Sequence, residues 1–162
     1  MVGAKGSQPD SAERRLQELG IQLPAAPTPF GTYVETLQTG NLLFFSGMLP
    51  VVDHKPKYVG RVGKELDVEA GRDAAYTAAL GVLAAAKKHL GSLDRVTRFV
   101  RLGVFIATAG DSIIDQPRIA DAVSDLFRDI FGIEKTSVRV IVGVASLPLG
   151  VPIALDVIFE VA

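Results

Sequence analysis

The chain has 162 residues, which fits one domain of ordinary size, able to bury a core without staples. It is 48% hydrophobic and 22% charged with a net charge of −1, so general nucleic-acid binding through phosphate neutralisation has no compositional support. The absence of cysteine excludes disulfides, thiolate metal sites and a cysteine nucleophile.

A mean hydropathy of +0.31 is high for a soluble protein. The surplus apolar surface has to be hidden, and a subunit interface is the usual place, so an oligomer is expected. No uninterrupted apolar run reaches the roughly 18 residues of a membrane span. The opening "MVGAKGSQPDSAERR" carries no apolar core of signal-peptide length. The expectation is a soluble, cytoplasmic protein with no membrane partner.

Residues 1–10 are rich in Gly, Ser, Pro and Lys and are expected to fray. Ser11–Leu19 reads as a short helix closed by Gly20. The following "PAAPTP" is an extended connector, because each proline pushes its predecessor away from helix. Tyr33–Gly47, "YVETLQTGNLLFFSG", reads as a hairpin turning at Thr39-Gly40-Asn41. "MLPVVDHKPKYVGRVGKEL" is a loop with one short strand near Tyr58–Val62. A long helix follows from the cap at Asp67 to about His89, with Gly91 beyond its end. Its many alanines predict close packing on a flat partner such as a sheet.

Arg95–Thr108 is the next strand, with Val96, Phe99 or Val100, Leu102, Val104 and Ile106 mostly at even spacing. A second helix starts near Gln116, where Pro117 suits the first turn, and stops at Gly132. Two strands close the chain, Ser137–Ala145 and Pro152–Val161, joined by "SLPLG". The order β-β-(β)-α-β-α-β-β indicates an α+β fold, a mixed sheet with two main helices on one face.

Strand parity then sorts the closing segments. Val138, Val140, Val142 and Val144 share one face, expected to lie under the helices. Arg139, Ile141, Gly143 and Ala145 share the other. In the last strand Ile153, Leu155, Val157, Phe159 and Val161 point inward, while Ala154, Asp156, Ile158 and Glu160 point outward. An apolar outward face covered by subunits would leave Arg139 at an interface, short of water and in need of an anion.

Three segments in this order, "FGTYVETLQTGNLLFFSGMLP", "LGSLDRVTRFVRLGVFI" and "VRVIVGVASLP", resemble the Rid family of YjgF-like proteins, also known under endoribonuclease L-PSP and translation-initiation-inhibitor names. The resemblance covers roughly residues 28–162, with residues 1–27 as an N-terminal extension carrying the short helix. Two of its elements are fairly specific: an arginine followed eight residues later by Leu-Pro (Arg139, Leu147, Pro148), and "GNLLFFSG" placed before a Leu-Pro pair. It implies a chorismate-mutase-like fold assembled as a homotrimer whose sheets line a barrel, with ligand clefts between subunits. Well-understood members hydrolyse enamine or imine intermediates such as 2-aminoacrylate to 2-keto acids and ammonia. No cofactor is implied.

By motif, the carboxylate-holding role falls on Arg139, whose planar fork suits a carboxylate. Tyr33, in Gly31-Thr32-Tyr33, and the backbone of Ser46 and Gly47 match the remaining substrate-binding positions. The family's water-orienting Glu aligns with Ala154, which can do no acid–base chemistry. Asp156, on the same side of the strand, is the candidate substitute. Met48 stands where Gln is common, and "TAGDSIIDQPRI" is longer than the usual connection. Together these mark a divergent branch.

Each candidate has an ordinary structural counterpart. Arg139 could serve only an inter-subunit salt bridge. Tyr33 could pack within its hairpin, Ser46 and Gly47 could simply end a strand, and Asp156 and Glu160 could be solvated acids. His54, in "DHKPK", is expected to be exposed, and His89 sits near a helix C-terminus, where a cation is favoured. Two distant histidines make neither a metal nor a catalytic site. Lys87-Lys88-His89 reads as a solvated helix end, and no phosphate-binding glycine motif is present. The functional expectation is a deaminase-like hydrolase acting on a small 2-imino acid. The alternatives are a non-catalytic trimeric module that binds a small carboxylate metabolite and, with less support, a ribonuclease or translation inhibitor.

Overall fold

A computed structural model describes residues 11–110 and 114–162. The fraying expected for residues 1–10 lies outside the described residues.

Local sequence signals set most element ends. Ser11 caps α1 (Ala12–Glu18) by accepting from the Arg14 amide, and Gly20 at φ 67° lets the chain leave. The hairpin is β1 (Thr36–Thr39) and β2 (Leu42–Phe45). Gly40 takes φ 57° at the first position of a two-residue turn, as a type II′ hairpin requires.

The strand expected near Tyr58–Val62 is absent. A two-stranded ribbon lies earlier instead, β3 (Val51–Val52) with β4 (Lys55–Pro56), and Val62 makes only isolated bridges. Asp53 and His54, at φ 52° and 61°, form the turn between β3 and β4. Two consecutive positive-φ residues are the type I′ requirement, which Asp and His meet less readily than Asn-Gly.

Asp67 caps α2 (Val68–Leu90), and Gly91 ends it at φ 82°. The alanine-rich face of α2 is buried against β7 and beside α3. Strand β5 (Val96–Ala107) carries register shifts between Val96 and Arg98 and between Phe99 and Arg101. These bulges explain why Val96 and Phe99, at odd spacing, both reach the core. Helix α3 (Gln116–Phe131) is capped by Asp115 and returns the chain to β6 (Val138–Val144), which runs parallel to β5. Strand β7 (Ile153–Val161) then inserts between β2 and β5.

The result is an α+β layer fold, a five-stranded mixed sheet in the order β1-β2-β7-β5-β6 with the helices on one face. Phe159 is fully buried at the centre, its ring 4.7 Å from Phe99, 5.0 Å from Phe45 and 5.8 Å from Phe127. The opposite sheet face is open in the single chain. It displays Leu37, Phe44, Val138, Val140 and Val142, each more than a third exposed.

Candidate functional site

Three of the sequence candidates meet in one place. Tyr33, Ser46 and Gly47 line a cavity of about 450 Å³ together with Phe30, Leu149 and Ala154. Separate chain segments build it: the connector into β1, the exit from β2, the loop before β7, and the first turn of β7 itself.

Hydrogen bonds hold this wall. The Ser46 hydroxyl donates to the Val34 carbonyl at 2.6 Å, and the Ser46 amide donates to the Glu35 carbonyl. The Tyr33 hydroxyl accepts from the Phe30 amide at 2.9 Å, which folds the ring back along its own loop. Its own proton stays available for donation. Gly47 lies between Phe45 and the Met48–Leu155 bridge, and its amide has no partner among the described residues. That leaves one backbone donor beside the cavity. No carboxylate, histidine, lysine or arginine lines it, so the single chain offers shape, apolar walls and a few neutral donors.

Leu149 was not singled out by sequence. It occupies φ 59° in a short turn after Pro148. A leucine in the left-handed region is held there by its surroundings, and the neighbouring Leu-Pro motif was the available signal.

The face assignment of β6 is corrected by the structure. Arg139 pairs in register with Leu102, and Leu102 pairs with Val157, both buried under the helices. Arg139 and Ile141 therefore face α3, and Val138, Val140 and Val142 face the open side. Arg139 Nη1 donates to Asp121 at 2.8 Å and to the Ser124 hydroxyl at 3.1 Å, both on α3. The rest of the fork, Nε and Nη2, makes no hydrogen bond among the described residues.

The physical reason is that β6 is an edge strand. The part of α3 above it presents Asp121, Ser124 and Gln116 instead of an apolar stripe, so an arginine and a glycine suit that side. A side chain added at Gly143 would meet Gln116 Nε2 at 3.0 Å.

Asp156 is on the open face, in register with Gly103 and through it with Val140. Its carboxylate lies 3.7 Å from Arg101 Nε, with both side chains nearly half exposed. Ala154, two residues earlier on the same face, lines the cavity, and Asp156 does not. Glu160 accepts from the Thr97 hydroxyl at 2.8 Å.

The histidines stay apart. His54 stacks on Phe30 and bonds Thr28, while His89 engages Thr36 and Gln38 through its two ring nitrogens. Among the described residues, no group of three or more His, Asp or Glu side chains converges as a metal site requires. No helix among them is long and apolar enough to cross a membrane. Glu35 was not singled out by sequence. Burial raises its pKa, opposed by His54 and then Lys88.

The mixed sheet, its helix-covered face and this cavity at the start of β7 define a YjgF-like α+β protein. The chain belongs to that family: the model described as "YjgF/chorismate_mutase-like, putative endoribonuclease" matches residues 13–160. It is 40% identical over 146 residues to Protein TCP17 of Trypanosoma cruzi, covering 90% of this chain and 91% of that protein. The crystal structure of Atu1372 from Agrobacterium tumefaciens is 34% identical, with a TM-score of 0.84 over 93% of this chain and 92% of that one. RidA of the Antarctic bacterium Psychrobacter sp. shares the fold at 20% identity, with a TM-score of 0.61 over 86% of this chain and 97% of that one.

Proposed function

We propose that this protein is a cytoplasmic, deaminase-like hydrolase of small 2-imino acids, working as a homotrimer with its sites between subunits. The observation that carries this reading is the convergence of Tyr33, Ser46, Gly47 and Ala154 on one cavity that lacks a cation of its own. A 2-imino acid needs its carboxylate held. Arg139, with half its fork unused, is the residue the family resemblance assigns to that task, and a neighbouring subunit's copy is the one that completes the cavity.

The open, apolar sheet face supports the assembly, because an exposed row of this kind is normally covered. In the reaction, water adds to the imine carbon, a proton reaches the nitrogen, the C–N bond breaks, and ammonia leaves a 2-keto acid. The imine is already electrophilic, so positioning supplies much of the acceleration and no cofactor is needed. Asp156 is the group nearest along β7 for orienting water once its contact with Arg101 loosens.

The test is a coupled assay that generates 2-aminoacrylate in situ. Acceleration over spontaneous decay, lost in Arg139→Ala, supports the proposal, and a decay rate unchanged by the purified protein overturns it.

One observation favours a second reading, a trimeric module that binds a small carboxylate without turning it over. Ala154 puts a methyl group in the cavity wall where the family resemblance places a water-orienting carboxylate. Tight 2-ketobutyrate binding with no hydrolysis would select that reading. The family's endoribonuclease description finds less support, since the net charge of −1 gives no footprint for a polyanion.

A further inference from the structure

A second cavity, of about 480 Å³, shares Tyr33 with the first and lies between the connector into β1 and the last turns of α2. Tyr33, Glu35, Thr36, Lys88 and His89 are among its lining residues. Glu35 and Lys88 both line it and carry opposite charge. They do not form an ion pair with each other, and neither has a side-chain hydrogen bond or salt bridge with any described residue.

His54 and, less strongly, Lys88 already act on Glu35 electrostatically, but no ion pair closes the Glu35–Lys88 couple, so a ligand bearing both charges can bridge the two. Glu35 is half-buried, so its carboxylate has lost part of its water and gains most from a cationic partner. Lys88 is exposed and its ammonium is a compact charge on a long stem, free to close on an anion. His89 is held by Thr36 at 3.3 Å and Gln38 at 2.9 Å, which makes it a fixed wall.

We infer that this cavity binds a small α-amino acid as the zwitterion, its ammonium on Glu35 and its carboxylate on Lys88. A simple carboxylate would meet Lys88 but be repelled by Glu35, and a simple amine would meet the reverse. The pairing therefore selects for molecules carrying both groups. Tyr33 lines both this cavity and the one assigned above to the imino acid, and the remaining lining residues differ.

The experiment is a titration of the full-length, isotopically labelled protein with L-alanine, followed by amide NMR, with acetate and ethylamine as single-charge probes. L-alanine is expected to shift the amides of Thr36, Ala85 and Lys88. Glu35→Gln and Lys88→Met are each expected to weaken that binding about tenfold or more, the loss of one charge-assisted pair. Arg139→Ala is expected to leave it unchanged. Equal shifts from acetate or ethylamine, unchanged affinity in both charge variants, or binding lost only in Arg139→Ala would each overturn the assignment. Both charge substitutions lie outside the core, and a thermal melt confirms that the variants fold. Because Arg139 is outside this site, failure here and failure of the hydrolase reading are separate results.

Discussion

Arg139 and Asp156 point to opposite faces of the same sheet: Arg139 aligns with Leu102 and Val157 under the helices, and Asp156 aligns with Gly103 and Val140 on the open side. A site using both groups on one ligand cannot be assembled within a single sheet. It requires residues from two copies, or it uses only one of the pair.

The Arg139 contact with Asp121 is a part-exposed ion pair, with side chains 29% and 48% accessible, and pairs of this kind contribute about 0.2–1 kcal/mol. Arg139→Ala is therefore expected to change stability by less than about 1 kcal/mol in urea unfolding. The same substitution is expected to weaken 2-ketobutyrate binding about tenfold or more by calorimetry, through loss of a charge-assisted pair. Asp121→Asn removes the charge opposite Nη1 while keeping its hydrogen-bond acceptors, and is expected to leave that affinity intact.

Ala154 is buried at the cavity wall and faces the space directly. Ala154→Glu places a carboxylate where water needs orienting. It is expected to raise 2-aminoacrylate hydrolysis about tenfold or more over wild type in the coupled assay, at the low end of acid–base contributions. No gain from a folded variant would argue for the binding module.

Glu35 gives a pH dependence with a definite sign. Burial raises its folded-state pKa, so the folded protein holds this proton more firmly than the unfolded chain does. That contribution is fully present below the unfolded glutamate value and is lost as pH rises through the folded one. Glu35→Gln cannot ionise, so its melting temperature should gain on wild type across that acidic interval and hold the gain at neutral pH. Melts in matched buffers, compared against wild type at each pH, measure the difference.

Val140 stands in the exposed row opposite Gly103 and Asp156. Val140→Glu adds a second negative charge beside Asp156 on the face proposed to meet other subunits. The variant is expected to sediment as a monomer with an unchanged far-UV spectrum, and wild type is expected to sediment as a trimer.

Phe159 is fully buried among four other phenylalanines. Phe159→Ala is expected to cost about 3–5 kcal/mol in denaturant unfolding, from lost transfer energy plus the cavity left behind.

Much of this protein was determined locally, and those parts were legible in the sequence. Ser11, Asp67 and Gly91 act within one helical turn of their own position, so the ends of α1 and α2 could be read from them. Gly40 dictates its turn for the same reason, and alternation sorted β7 because both of its edges are paired in register and one of its faces lies under the helices. The Asp53-His54 turn was not legible, because neither residue type demands positive φ. The orientation of β6 was decided only by the tertiary structure. Its valine row looks like a core face, but an edge strand takes its orientation from the register with β5 and from what α3 presents above it. A hydroxyl and a carboxylate on that helix welcome Arg139 and send the valines outward, a choice made across eighteen residues of sequence separation that no pattern within the strand encodes.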